Sequence, residues 1–197
     1  MKKTKKKAAQ SFNQPSSPIV KKIREFHRKQ QELYDELERN RPSVDNLVVD
    51  GFATFEPQFE CDSHDIACYK TDYEFHGSNV ELIIYPAKAG SPPGYKKQQK
   101  LKAQFHAFSN GLQTALETFP DKLRKLCSHY GLDTAENQTD QSLIANLEWI
   151  NVKLESLNWI ECYTNNHSIS NNFDIVIRFK RRKFKNTFRV KTVYFDG

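Results

Sequence analysis

The sequence has little glycine, few cysteines and no long apolar segment, and each of these shortages excludes a class of function. Only seven glycines occur in 197 residues, and neither a G-x-x-x-x-G-K-S/T nor a G-x-G-x-x-G pattern is present, which argues against a phosphate-cradling loop. A G-x-S-x-G elbow and the kinase motifs are also missing. No apolar run reaches the roughly 18 residues of a transmembrane helix, so we expect no membrane contact.

The cysteines indicate a reducing compartment. Cys61, Cys68, Cys127 and Cys162 are spread over a hundred residues, and a chain of this size does not need disulfides to stabilise its core. The lysine-rich N-terminus is not followed by the apolar segment of a secretory signal. We therefore expect a cytoplasmic protein with reduced thiols, or a nuclear one if the source is eukaryotic, and no cofactor.

Charge is distributed unevenly along the chain. The formal net charge is +6, but residues 2–7 contain five lysines, and residues 178–191 contain eight basic residues without an acid. The intervening residues 19–177 hold 17 basic and 23 acidic residues. Basic patches of this kind attract polyanions such as nucleic acid, or an acidic protein partner.

The sequence predicts three parts. Residues 1–16 are rich in Lys, Ser, Gln and Pro and are expected to form a disordered basic tail. Residues 17–42 predict an amphipathic helix, because Ser17-Pro18 is a start signal and Pro42 a stop signal. Its stripe has a 4-3-4-3-4 spacing and consists of Ile19, Ile23, Phe26, Gln30, Leu33 and Leu37. Residues 43–197 are expected to form a single α+β domain.

The predicted N-terminal helix has an unusual charge order. Its first turns are basic and its last turns acidic, which is the reverse of the order that the helix macrodipole favours. Its stripe, residues 19–37, predicts packing against the core of the protein or docking to a protein partner. A short coiled-coil dimer, with Gln30 as its polar core residue, is the alternative.

The remaining pattern predicts an α+β fold with a largely antiparallel sheet and about four helices. The sheet is expected to consist of an N-terminal meander of about three strands over residues 47–86 and a C-terminal hairpin of residues 173–180 and 187–195. We find no βαβ alternation in the pattern. Besides the N-terminal helix, helices are predicted over residues 95–118, 121–130 and 140–157.

The C-terminal hairpin is the main candidate for a nucleic-acid contact. In R-F-K-R-R-K-F-K-N-T-F-R-V-K, cations that can neutralise phosphates alternate with aromatic rings that can stack on bases. The alternative is that the charges protect an edge hairpin from aggregation. Together with the basic start of the second predicted helix, the candidate contacts are Lys96, Lys97, Lys100, Arg178, Lys180, Arg181, Arg182, Lys183, Phe184, Lys185, Arg189 and Lys191.

Two arrangements raise the question of metal chemistry. Cys61, His64, Cys68 and His76 lie within sixteen residues, a density compatible with zinc but at a spacing of no common zinc motif. Acidic residues are frequent over 62–81, and a metal-dependent nuclease needs two or three converging carboxylates. Neither arrangement has the spacing that its chemistry requires, so we expect no metal and no catalytic residues.

Taken together, these observations predict a non-catalytic nucleic-acid-binding protein that uses the lysine-rich tail and the basic C-terminal hairpin. Whether the nucleic acid is DNA or RNA stays open. The first alternative is an accessory subunit of a larger complex that docks through the N-terminal helix. The second is a metal-dependent phosphodiesterase.

Overall fold

The chain forms two compact units, residues 1–42 and 43–197. The computed structural model describes residues 18–60, 63, 65–86, 91–182 and 187–197. The tail expected over residues 1–16 therefore lies outside the described residues. The first unit contains one helix, α1 (Pro18–Arg39). The described residues of the second unit form four further helices and eight strands.

Helix α1 exposes its apolar stripe. None of its residues is buried, and the exposed fraction is 69% for Ile19, 60% for Phe26 and 58% for Leu33. Ion pairs one turn apart, such as Arg28–Glu32 at 2.8 Å, support the helix locally at about 0.2–0.5 kcal/mol each. Most of the stability of a helix in a protein comes from packing of its apolar face, and the exposed stripe of α1 leaves the helix without that contribution.

The second unit is built on one eight-stranded sheet whose spatial order follows the chain. Neighbouring strands are antiparallel, except β4 and β5, which pair in parallel. The strands are β1 (Leu47–Val49), β2 (Ala53–Phe59), β3 (Ile66–Phe75), β4 (Ser78–Ile84), β5 (Glu148–Ser156), β6 (Trp159–Asn166), β7 (Ser170–Arg181) and β8 (Phe188–Asp196). The predicted α+β class with a largely antiparallel sheet is confirmed.

The helices described for this unit all lie in the connection between β4 and β5. They are α2 (Tyr95–Asn110), α3 (Leu112–Ala115), α4 (Phe119–His129) and α5 (Asp140–Ala145), with a short 3-10 turn at Asp133–Ala135. A crossover of this kind is what allows two consecutive strands to pair in parallel. None of the described helices is long and apolar enough to span a membrane.

Two details of the predicted architecture are wrong. The N-terminal meander has four strands rather than about three, and the predicted helix over 140–157 ends at Ala145 and is followed by β5. Leu147, Ile150 and Leu154 mimic a helical stripe, but Trp149, Val152 and Leu154 are the buried residues of a strand. A register shift between Trp149 and Asn151 hides the alternation of buried and exposed residues in this strand. Because β5 pairs in parallel with β4, the fold contains a βαβ connection that the sequence pattern did not predict.

Short turns with positive φ angles join neighbouring strands of the N-terminal meander. His76 and Gly77 have φ angles of 48° and 82°, and Phe75 pairs with Ser78 across them. Two consecutive positive φ angles define a type I′ turn, whose twist matches that of the adjoining strands. The connection of β1 and β2 likewise places Gly51 at φ 61°. These turns fix the register of the N-terminal meander.

The sheet curls around α2. The ring centroid of Phe108 in α2 lies 5.9 Å from that of Phe75 in β3 and 4.8 Å from that of Phe179 in β7. Four strand spacings of about 4.8 Å separate β3 from β7 in a flat sheet, which amounts to about 19 Å. Both strands can reach the same ring only if the sheet is strongly curved, so its concave face encloses the core beneath α2.

Candidate nucleic-acid interface

A cleft lies along the free edge of the sheet, between β8 and the helices α3 and α4. Both helices pack against β8, which is the last strand in the sheet order. The cleft has a volume of about 430 Å³. Five cationic side chains from two distant parts of the sequence line it: Lys122, Lys125, Arg182, Arg189 and Lys191. We call this site the basic cleft.

The lining of the basic cleft favours anions. Its acidic residues are Glu117 and Asp121, and the hydroxyls of Thr114 and Thr118 supply further polar groups. Five cations thus face two carboxylates. Among the described residues, no ion pair involves any of the five cations, so their charges are available to a ligand.

The local sequence explains how α4 contributes to the basic cleft. Phe119, Leu123 and Cys127 are fully buried and face the core. Lys122 and Lys125 are three residues apart, which places them on one face of a helix. Arg124, between them, is engaged elsewhere, because its Nη2 lies 2.6 Å from a carboxylate oxygen of Asp140.

A β-bulge positions the cations of β8. Arg178 pairs with Thr192 and Phe179 with Val190, so Lys191 has no partner residue on β7. An extra residue of this kind bends the strand and redirects the side chains near it. Arg189 and Lys191 are exposed on either side of the buried Val190, and all three line the basic cleft.

A second depression is lined by a residue adjacent in sequence to one of the basic cleft. Lys100 of α2 and Arg181 line it together with Leu157 and Asn158, and its volume is about 470 Å³. The Arg181 amide donates to the Asn158 carbonyl at 2.9 Å, which fixes the end of β7. Arg181 lines this depression and Arg182 lines the basic cleft, so adjacent residues link the two sites.

The other two described cations of the predicted hairpin site lie on the convex face of the sheet. Arg178 and Lys180 point toward the Trp159 ring, at 5.3 and 5.0 Å from its centroid. The Arg178 guanidinium also donates to Glu155 at 2.7 Å and lies 3.2 Å from Glu161. Its charge is therefore balanced within the protein, unlike the charges in the basic cleft.

Glu161 is the centre of a polar network on the convex face. It is 7% exposed, accepts a hydrogen bond from the Tyr194 hydroxyl at 3.0 Å and lies 3.9 Å from the Lys153 ammonium. Burial and then this hydrogen bond raise the pKa of Tyr194 well above its ordinary value. Lys153 in turn lies over the Tyr163 ring, at 3.9 Å from its centroid.

Several predicted contacts are separate from both depressions or are not described. Lys96 is exposed and Lys97 half-buried in the first turn of α2. Lys183, Phe184 and Lys185 lie outside the described residues.

The proposed zinc residues do not form a described site. Cys61 and His64 lie outside the described residues. Cys68 and His76 are eight residues apart along β3 and its turn, about 26 Å at 3.3 Å per residue, so they cannot share one ion. The His76 Nε2 instead lies 3.0 Å from the Ser109 carbonyl of α2. Among the described residues, no group of three or more His, Cys, Asp or Glu side chains could hold a metal.

The described cysteines are unpaired thiols. Cys127 and Cys162 are buried and Cys68 is half-buried. Burial raises the pKa of all three thiols, which reduces the fraction of reactive thiolate at neutral pH.

Sequence reasoning missed Lys122 and Lys125, which complete the basic cleft. Their spacing on a helix whose opposite face is apolar was the available signal. Their proximity to Arg189 and Lys191 depends on the packing of α4 against β8, which no local pattern encodes.

Searches of protein-family models, of curated proteins and of solved structures found no match to this chain.

Proposed function

We propose that this protein is a non-catalytic nucleic-acid-binding protein and that the basic cleft is its folded contact surface. The observation that supports this function is the convergence of five cations without ion pairs among the described residues, from α4 and from the end of the β7–β8 hairpin. Phosphate contacts by Lys and Arg supply most of the affinity of sequence-independent nucleic-acid binding.

The composition of the basic cleft indicates recognition of the phosphate backbone rather than of bases. Its cations and threonine hydroxyls outnumber its two carboxylates and are groups that bind phosphate oxygens, whereas sequence is recognised through base edges. The described lining contains no aromatic side chain that could stack on a base. We therefore expect similar affinity for different sequences of the same strand type.

The depression of Lys100 and Arg181 extends the proposed contact. Because Arg181 and Arg182 are consecutive, a nucleic-acid strand that contacts Arg182 in the basic cleft can reach the second depression without a break in positive charge. The five lysines of residues 2–7 would add further sequence-independent affinity. Arg178 has no role in this proposal, because Glu155 and Glu161 already neutralise it.

The test is a salt titration of binding to labelled single-stranded RNA, single-stranded DNA and duplex DNA. Lys125→Ala combined with Arg189→Ala should weaken binding to all sequences. The double substitution should also reduce the slope of log K against log salt by about 1.4 on single strands and about 1.8 on duplex, at 0.7 and 0.9 per phosphate contact. Lys180→Ala is the matched control, because Lys180 is the cross-strand neighbour of Arg189 but does not line the basic cleft.

A protein that lacks residues 1–16 separates the tail from the cleft. If it still binds with a steep salt slope and Arg189→Ala reduces that slope, the basic cleft is the folded interface. If binding disappears with the tail while the substitutions in the cleft have no effect, the proposed location is wrong. If the full chain does not bind near physiological salt, the proposed function is wrong.

A further inference from the structure

The apolar stripe of α1 has the spacing of a coiled-coil seam. Its residues alternate at intervals of four and three, which assigns core positions a to Ile23, Gln30 and Leu37 and core positions d to Ile19, Phe26 and Leu33. Ile19, Ile23, Phe26 and Leu33 are each at least half exposed. A stripe this narrow fits one facing helix better than a sheet or a broad groove.

The charges of α1 indicate which helix can face it. Residues 18–29 hold five basic residues and one acid, whereas residues 30–39 hold four acids and one basic residue. A parallel copy would place the basic half of each helix beside the basic half of the other, and the two acidic halves beside one another. An antiparallel copy places the basic half of each helix beside the acidic half of the other, and it also aligns the two macrodipoles favourably.

We propose that α1 is a self-association element that forms an antiparallel two-helix coiled coil with α1 of a second copy of this chain. With Ile23 opposite Leu33 of the second copy, Ile19 likewise meets Leu37, and Phe26 meets Gln30. The position g residues that flank this seam are Lys22, Lys29 and Glu36.

In this arrangement Lys22 of each copy faces Glu36 of the other, which gives two attractive pairs. The two Lys29 side chains face one another at the centre and repel. The Lys29 ammonium also lies 3.2 Å from the Glu25 carboxylate of its own helix, which weakens that repulsion. Gln30 faces Phe26, so its amide must reach solvent at the edge of the seam, and the association is correspondingly modest.

The parallel arrangement has different neighbours and therefore a different response to mutation. Position g faces position e of the next heptad in parallel coils, which would place Lys22 beside His27 and Lys29 beside Tyr34. Replacing Lys22 with an acid would leave such a dimer unchanged or strengthen it. In the antiparallel dimer the same substitution creates two repulsive pairs.

The experiment is sedimentation equilibrium of the full-length chain over a range of concentrations. The wild-type mass should rise with concentration from 23.0 kDa toward twice that value. Lys22→Glu should raise the dissociation constant about tenfold, because two exposed pairs become repulsive. Lys22→Glu combined with Glu36→Lys should restore it to within about threefold.

The control is Lys21→Glu, which makes the same charge change at the neighbouring position on the outer side of the helix. It should change the dissociation constant by less than about twofold. An acid in the first turns of a helix is favourable for its macrodipole, so a loss of association in Lys22→Glu cannot be ascribed to a loss of helix. Circular dichroism of each variant checks this directly.

The outcomes are distinguishable. A mass that stays at 23.0 kDa up to about 1 mM overturns the proposal and leaves a different protein as the occupant of the stripe. Equal weakening by Lys21→Glu and Lys22→Glu, or a double variant weaker than either single one, overturns the antiparallel arrangement. Because Lys22 and Glu36 are fourteen residues apart on one helix, about 21 Å, rescue by the double variant can arise only between copies.

Discussion

Removal of the Glu161 carboxylate should destabilise the folded unit of residues 43–197 more than the loss of any other acid on the convex face of the sheet. Glu161 is the only acid among the described residues of that face that is nearly buried, at 7% exposure. Its carboxylate accepts the Tyr194 hydrogen bond at 3.0 Å and lies 3.2 Å from the Arg178 Nε. Glu161→Ala leaves both groups without this partner.

The magnitude follows from these contacts. Removing one member of a fully buried ion pair costs about 3–5 kcal/mol. Arg178 retains Glu155 at 2.7 Å, and its side chain is 38% exposed, so solvent screening reduces that figure. The unpartnered Tyr194 hydroxyl adds about 1 kcal/mol. We therefore expect Glu161→Ala to lower the free energy of unfolding by about 2–3 kcal/mol.

The assay is urea unfolding followed by tryptophan fluorescence, where a loss of this size shifts the midpoint by about 1 M for a typical slope near 2 kcal/mol per molar. Glu155→Ala is the matched control, because its side chain is 29% exposed and pairs with the same arginine. It should cost about 1 kcal/mol or less. If Glu155→Ala is as destabilising as Glu161→Ala, or if Glu161→Ala costs less than about 0.5 kcal/mol, the network does not act as argued.

Three further predictions follow from the same structure. Burial and then Glu161 raise the pKa of Tyr194, so the stabilising contribution of this residue should be complete below pH 10 and decline above it. Tyr194→Phe should therefore reduce the slope of unfolding free energy against pH above 10 by up to about 1.36 kcal/mol per pH unit. Phe108→Ala should cost about 3–5 kcal/mol in thermal or urea unfolding, whereas Phe26→Ala, on the exposed stripe, should leave that transition unchanged. Glu117→Gln removes a carboxylate from the basic cleft and should tighten nucleic-acid binding about two- to fivefold in the salt titration.

Some features of this fold are encoded by residues that are neighbours in the sequence, and others are not. The α+β class and the helix predicted over 121–130, which the structure has as α4 (Phe119–His129), depend on neighbouring residues, and the sequence predicted both. The segment 148–156 was mistaken for helix because a register shift displaces its buried residues from strict alternation. The crossover between β4 and β5 was missed for the same reason, since it depends on that strand.

In the candidate site, too, local sequence patterns do not predict which residues meet in the fold. Alternation along β7 and β8 identifies exposed cations, but it cannot distinguish those that meet acids from those that do not. Arg178 is neutralised by Glu155 of β5 and Glu161 of β6, whereas Arg189 lines the basic cleft at the edge of the sheet. That difference arises from sheet order and helix packing, which bring together residues at least 17 positions apart.

The distribution of charge between the two units explains why the proposed function places the folded contact in the basic cleft rather than in the net charge of the folded unit. Residues 1–42 hold 12 basic and 5 acidic residues, and residues 43–197 hold 18 basic and 19 acidic residues. The second unit is therefore nearly neutral, and its overall field cannot attract a polyanion from a distance. Within it, most cations on the convex face are paired with acids, which leaves the basic cleft as a local excess of positive charge. The N-terminal residues thus supply long-range attraction under the proposed function, while the cleft supplies the fixed geometry that holds a phosphate backbone in place.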